Sequence, residues 1–267
     1  MTRLTSADVS LPRERLARLD AQLLALTGGD LRALALGALG PGAGDVLSGA
    51  RCAAVPLTAG GGVIGGFSEM VATTLSHLGC DAVAIAASDV AGMADAVRGG
   101  AEVLFLADDE RFFALNLRVA RCVDNASATA EGYVAALAAA AGGLVGRPVL
   151  LLGLGPVGLA AARQLVAAGA AVSVIEPDGE RLAVALAELP MLRETTLAVG
   201  LPRARFVFDA TPAAAIIGVG DVRPTLLAVV PGVPSAFSAG AQTCLGVRHL
   251  HDPLAIGVAF MAVRAFS

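Results

Sequence analysis

Gly153-Leu154-Gly155-Pro156-Val157-Gly158 follows the apolar run Val149 to Leu152 and opens a helix-like stretch, Leu159 to Ala168. In a strand-turn-helix setting, glycines at this spacing serve a dinucleotide. Gly153 makes the tight turn, Gly155 lets backbone approach a pyrophosphate, and Gly158 lets the helix pack closely on the strand. The helix start adds unpaired N–H groups and a partial positive charge for the phosphates. A second apolar run, Ala171 to Ile175, ends in Glu176, 18 residues after Gly158. An acid there accepts both ribose hydroxyls of NAD and repels the extra phosphate of NADP, so NAD is the expected cofactor. Asp178 competes for that role, although its place beyond Pro177 suits a helix start. In a chain with 32 glycines the pattern alone would be weak; its flanking elements and the acid give it weight. The plainer alternative is a tight turn without a ligand.

Other groups could complete a site. Asp209-Ala210-Thr211-Pro212 and Pro231-Gly232-Val233-Pro234 each follow an apolar run. In a hydride-transfer fold such loops lie beside the nicotinamide, but ordinary turn chemistry explains Pro and Gly equally well. In the first half, Asp108-Asp109-Glu110 stands at a strand end before an amphipathic segment containing Asn116, and Asp124-Asn125 follows. A carboxylate converging with a carboxamide suits a cationic, amine-bearing ligand; the alternative is that Asp109 caps a helix and the rest is solvated. The Gly60–Gly66 loop either binds a carboxylate or phosphate through backbone N–H groups or is a tight turn. Of the three histidines, His77, His249 and His251, only His251 beside Asp252 is a candidate for proton transfer, and a structural or surface role is the simpler reading.

What is missing also narrows the chemistry. All 19 basic residues are arginine, which excludes Schiff-base catalysis, a phosphate-binding lysine of the Walker type and dehydrogenase mechanisms built on Tyr-Lys or Lys-Asp pairs. Cys52, Cys80, Cys122 and Cys244 are scattered without a Cys-x-x-Cys, so they read as small thiols and no metal is expected. A net charge of −4 without a basic block argues against nucleic acid or an anionic membrane as partner.

Positioning these groups requires two α/β domains. Residues 1–127 read as a substrate-binding domain with an N-terminal helix, in which Leu16, Leu19, Leu23 and Leu26 recur at helical spacing. Ser10 and Pro12 mark its start. Alternating strand and helix patterns from Arg51 to Leu106 indicate a mainly parallel sheet with helices on its faces. Residues 128–147 form a connecting helix, 148–250 a Rossmann NAD-binding domain, and 251–267 a C-terminal helix packing back on the first domain. The default reaction site lies outside the strand ends. Gly and Arg interrupt the longest apolar runs, and Met1 to Asp20 lacks the apolar core of a secretion signal, so no membrane association and a cytoplasmic location are expected. The oligomeric state is open, a homodimer included.

Several motifs together match a known family. Val55-Pro56-Leu57-Thr58 with Gly60, Ile64, Gly65, Phe67, Ser68 and Glu69; Ala107-Asp108-Asp109 with Asn116-Leu117; Asn125; the Gly153 fingerprint; Ala210-Thr211-Pro212; Pro231-Gly232 with Pro234; and Pro253-Leu254 with Ile256-Gly257 run in order along nearly the whole chain. In these the sequence resembles the PylD family of pyrrolysine-biosynthesis dehydrogenases. The resemblance implies NAD-dependent oxidation of the terminal primary amine of a 3-methyl-D-ornithine unit joined to the ε-nitrogen of L-lysine, a small dipeptide-like substrate. The product cyclises with loss of ammonia to pyrrolysine. It further implies substrate contacts from Leu4, Thr58, Ala59, Ile64, Asp108 and Asn125, beside the cofactor contacts expected from the fingerprint and strand-end loops, Gly153, Leu154, Gly155, Pro156, Val157, Gly158, Glu176, Ala210, Thr211, Pro212, Pro231 and Gly232. Position 59 departs from the family, which has serine there, so a hydroxyl contact would be lost. Two alternatives remain at this level: a dehydrogenase of another amine, imine or amino-acid derivative, and a non-catalytic NAD sensor.

Overall fold

The computed structural model describes residues 12–42, 44–60, 62–108 and 110–267. These divide into two units, and Leu4, Ser10 and Asp109 lie outside the described residues. The first helix, α1 (Pro12–Thr27), buries Leu16, Leu19 and Leu23, so the spacing of three and four sets its inner face.

The first unit comprises residues up to 21, 29–132 and 253–267. Its sheet has strands β1 (Arg51–Pro56), β2 (Asp81–Ala84), β3 (Val103–Ala107), β4 (Phe112–Asn116) and β5 (Arg121–Asp124), in the order β2-β1-β3-β4-β5. The pairs β1–β2 and β1–β3 are parallel, whereas β3–β4 and β4–β5 are antiparallel. Ala53, Val55, Leu104 and Leu106 form an apolar cluster with Ala96 of helix α4 (Asp89–Arg98). The described residues that follow Asp108 lead into a strand, not a helix. Phe112 to Asn116 alternates buried with half-buried residues, the period of a strand. Helix α10 (Ala255–Phe266) is almost wholly buried and packs on α2 (Leu31–Gly37), α3 (Phe67–His77) and β4. Its last turn is fixed by Arg264, whose guanidinium donates to both Glu131 carboxylate oxygens.

Helix α5 (Asn125–Ala141) begins three residues before and ends six before the expected 128–147. Gly142 and Gly143 both adopt positive φ and stop it.

The second unit comprises residues 22–28 and 133–252. Six parallel strands, β6 (Pro148–Leu152), β7 (Ala171–Ile175), β8 (Arg193–Glu194), β9 (Phe206–Asp209), β10 (Leu227–Val229) and β11 (His249–Leu250), are ordered β11-β10-β9-β6-β7-β8. Strand order reverses between β6 and β9, which is where an open α/β sheet forms its binding crevice. Leu150, Leu152, Val207, Ala228, Val230 and Phe237 pack together beneath that edge. The central strands β6, β9 and β10 are apolar and almost wholly buried, and α6 (Pro156–Ala167) packs on β6 and β7, while α7 (Gly179–Glu188) follows β7. Tyr133, the only tyrosine, is fully buried; its hydroxyl donates to the Asp252 carbonyl (2.5 Å) and accepts from the Asp252 N–H (2.8 Å), anchoring the chain after β11.

Candidate functional site

In the second unit, each glycine of the 153–158 loop meets a different constraint. Gly153 sits at φ 85°, and a Cβ there would come within 3.0 Å of the Ala210 carbonyl oxygen. Gly158 is more crowded, since its Cβ would stand 2.1 Å from the Gly153 carbonyl oxygen. Gly155, the N-cap of α6, faces open space within 4 Å. Two glycines thus serve packing and the third leaves an uncovered backbone surface at a helix N-terminus, the shape a pyrophosphate requires. Pro156 occupies the first helical turn, where a missing N–H costs nothing, and the first intrahelical bond runs from Leu159 N–H to the Gly155 carbonyl.

Glu176 stands at the end of β7 beside this loop. Its Oε2 accepts from the Leu154 N–H (2.6 Å) and its Oε1 from the Asp178 N–H (2.9 Å). The expected ribose acceptor therefore also fixes the glycine loop. Asp178 instead caps α7, accepting from the Glu180 and Arg181 N–H groups.

Asp209 is a second organiser, one that the sequence pattern did not single out from its loop. Its side chain is fully buried. Oδ2 accepts from the Ala236 N–H (2.7 Å), Oδ1 from the Thr211 N–H (3.2 Å), and its carbonyl accepts from the Gly232 N–H (2.9 Å). One residue thereby ties Ala210-Thr211-Pro212 to Pro231-Gly232, and a Cβ on Gly232 would lie 2.5 Å from the Thr211 carbonyl oxygen. The available signal was an acid directly closing the apolar run Phe206 to Phe208.

Burial pushes the Asp209 carboxyl up to about 6, from an ordinary value of 3.8, despite its two N–H donors. A folded-state pKa above the unfolded one means the folded protein holds the proton more tightly. Asp209 therefore contributes stability fully below about pH 4, and loses it as pH rises through about 6. Denaturation from pH 4 to 7 should show the stability of the parent falling by roughly 2–3 kcal/mol relative to Asp209→Asn across this window. Parallel pH profiles would remove the buried titration.

His251 follows β11, and its Nδ1 lies 2.7 Å from the Val230 carbonyl, so Nδ1 carries the hydrogen. His249 is buried, with its ring edge on Phe237, and burial lowers its pKa to about 4, with His251 adding to the shift. His77 accompanies Asp20 as a partly exposed pair in the first unit. Asp252, the sequence neighbour of His251, is buried, and among the described residues no group of three His, Cys, Asp or Glu is arranged to hold a metal.

In the first unit the sheet register assembles the other candidates. Pro56 pairs with Ala107, Ala107 with Phe112, and Phe113 with Asp124. Strands β1, β3 and β5 run in the same direction, so Thr58, Asp108 and Asn125, each just past a strand's C-terminal end, share one edge of the sheet. Asp108 Oδ1 accepts from the Arg111 N–H (2.7 Å) and the Glu110 N–H (2.8 Å), closing the turn into β4. Those two donors hold its carboxyl below the ordinary range. Asn125 opens α5, and its Oδ1 accepts from the Thr129 hydroxyl (3.2 Å). A Cβ on Gly257 would stand 2.8 Å from that Oδ1 and 2.5 Å from the Thr129 oxygen, so a glycine is needed for α10 to pass this polar pair. Ala59 is exposed and Ile64 half-buried in the loop between β1 and α3.

Residues 8–123 match the family described as pyrrolysine biosynthesis protein PylD, N-terminal domain. The chain is 34% identical over 209 residues to the pyrrolysine synthase of Methanosarcina acetivorans, covering 78% of this chain and 79% of that protein. It is 29% identical over 261 residues to the pyrrolysine synthase of Methanosarcina barkeri, covering 98% and 97% respectively. Among solved structures it resembles the shikimate dehydrogenase of Aquifex aeolicus with a TM-score of 0.57 and 14% identity, over 81% of this chain and 91% of that one. That likeness is one of fold. The extent of identity to the two synthases, together with the matched N-terminal domain, means that this chain belongs to the PylD family of pyrrolysine biosynthesis proteins.

Proposed function

We propose that the protein is an NAD-dependent dehydrogenase that oxidises the terminal primary amine of 3-methyl-D-ornithyl-N6-L-lysine in the last step of pyrrolysine formation. The observation that carries this reading is the gathering of Thr58, Asp108 and Asn125 at one sheet edge, in a PylD-family chain whose other unit carries a complete glycine loop. An ionised carboxylate with a carboxamide and a hydroxyl is an acceptor-rich set, matched to a substrate bearing ammonium groups.

The residues around the crevice fit a dinucleotide. Gly153 to Gly158 would hold the pyrophosphate, Glu176 the adenosine ribose, and the loops 210–212 and 231–232 the nicotinamide side. NAD, when bound, supplies a two-electron hydride acceptor. The terminal ammonium must first lose a proton; the C–N carbon then loses hydride and becomes an iminium. The ornithine α-amine adds to that carbon, ammonia leaves, and the pyrroline C=N closes the ring. Asp108 would anchor an amine by a charge-assisted bond, and Asn125 would orient the chain beside it. With little acid–base work required, orientation and exclusion of water would supply most of the acceleration. Leu4 belongs to the same proposed substrate set, as do Ala59 and Ile64. A small-molecule partner suffices for this reaction, and among the described residues no helix is long and apolar enough to cross a membrane.

A coupled assay tests the reading: purified protein, NAD and the methylornithyl-lysine dipeptide, following NADH absorbance and product mass together. NADH accompanied by the mass of pyrrolysine is expected; nucleotide binding without reduction would favour a sensor. Cofactor choice gives a separate prediction. Glu176→Ala should lower the NAD-over-NADP preference by about 10- to 100-fold, the worth of a charged hydrogen bond, measured as the ratio of kcat/KM values. Equal use of both nucleotides by the parent would remove Glu176 as selector.

A further inference from the structure

Asp89 is the first residue of α4 and adopts φ 55°, a left-handed conformation uncommon for any residue with a side chain. Its carboxylate does two things there. Oδ1 accepts from the Thr58 N–H at 2.9 Å, and Oδ2 accepts from the Thr58 hydroxyl at 2.8 Å. The helix can start so close to the end of β1 because position 92 is glycine: a Cβ there would come 2.2 Å from the Ala87 carbonyl oxygen and 2.7 Å from Val55 Cγ1. A strained backbone and a close approach thus bring one carboxylate to one threonine 31 residues away in sequence.

The hydrogen-bond polarity has a chemical consequence. With its own proton committed to Asp89, the Thr58 oxygen offers only lone pairs, and the adjoining N–H is occupied as well. The β1–α3 loop therefore cannot serve an anion at Thr58, as a glycine-rich loop otherwise could. Asp108 at the neighbouring strand end adds a second negative charge to the same edge.

We infer that Asp89 is a positioning and specificity-determining residue, which makes Thr58 an obligate acceptor so that this edge takes an ammonium end of the substrate and rejects its carboxylate. This rests on the proposed function. Asp89→Asn keeps the shape and tolerates positive φ, but its amide donates to the Thr58 oxygen and turns the hydroxyl proton outward.

Steady-state kinetics with methylornithyl-lysine test it, alongside NADH titration and thermal melting. Asp89→Asn and Thr58→Val should each raise KM about tenfold with kcat within about twofold, the double variant should be no worse than either single one, and Thr58→Ser should restore the parent KM. NADH affinity should not change. Carbon-detected NMR titration of Asp89 supplies a readout independent of turnover. Its carboxyl lies below the ordinary range, through the Thr58 N–H first and the Thr58 hydroxyl second, and should move up in Thr58→Val. An unmoved titration overturns the inference whatever the substrate. Parent turnover with unchanged KM in both variants overturns it alone, and a parent that does not oxidise the dipeptide overturns the proposed function together with this inference.

Discussion

Replacing Gly158 with alanine is expected to reduce dinucleotide affinity at least about 100-fold, equivalent to roughly 3 kcal/mol, and to lower the melting temperature as well. The added Cβ would lie 2.1 Å from the Gly153 carbonyl oxygen, 2.8 Å from its carbon and 3.4 Å from Ala210 Cβ. The first two atoms are backbone, in a residue already at φ 85° and hydrogen-bonded from its N–H to the Ile175 carbonyl. No side chain can swing aside, so either the first turn of α6 or the loop itself must move outward. Overpacking of this kind costs about 1–3 kcal/mol of fold stability, and the displaced N–H groups no longer converge on the phosphates. Gly155→Ala separates the two effects. Its backbone, at φ −60° and ψ −176°, is open to any residue, and a Cβ meets no protein atom within 4 Å. That variant should melt with the parent yet bind nucleotide poorly, because its methyl occupies the approach of the pyrophosphate. Calorimetric titration with NADH and thermal melting of both variants would check this pair. Affinity retained in Gly155→Ala would place the dinucleotide elsewhere.

The glycine loop was legible in sequence because its constraints are local: an apolar run, a turn and a helix start lie within a few residues of one another. The same locality made Asp178 readable as a helix start, whereas the connecting helix was expected to run on through Gly142-Gly143, where it in fact stops. The β4–β5 hairpin was not legible. Its turn, Leu117 to Ala120, has no Gly, Asn or Asp, and the positive φ falls on Ala120 at 51°. The one turn residue, Asn116, stands at the end of β4, where its Oδ1 accepts from the Arg118 and Val119 N–H groups, and Phe112 to Asn116 read as a generic amphipathic segment. That strand pair carries a functional consequence, since without it Asn125 could not reach the edge shared by Asp108 and Thr58. The Asp89–Thr58 contact was hidden for a different reason. Its determinants are a strained residue and a glycine pressed against Val55, both products of tertiary packing. Asp209 lay between these cases: its position at a strand end was visible, but only burial shows that it fastens two loops.

Asp108→Asn is expected to raise KM for methylornithyl-lysine by about 10- to 100-fold, the worth of a charged hydrogen bond to an ammonium. The asparagine oxygen can still accept from the Glu110 and Arg111 N–H groups, so the turn into β4, the melting temperature and NADH affinity should persist. Asp108→Ala loses the turn bonds as well as the charge and should lower kcat/KM further. Because the two backbone donors hold the Asp108 carboxyl below the ordinary range, it stays ionised from mildly acidic to alkaline pH. Its depressed pKa means that its contribution to the folded state is present above the ordinary value and lost as pH falls through the lower folded one. The proposed anchor should accordingly show no titration near neutrality, and any activity change between pH 6 and 9 must come from the amine or from another protein group. Initial rates over this range, with substrate varied for the parent and both variants, supply the measurement. An unchanged kcat/KM in Asp108→Asn would take the carboxylate out of substrate binding. A loss of kcat at constant KM would instead mean that Asp108 acts on the reacting amine after binding, and not as its anchor.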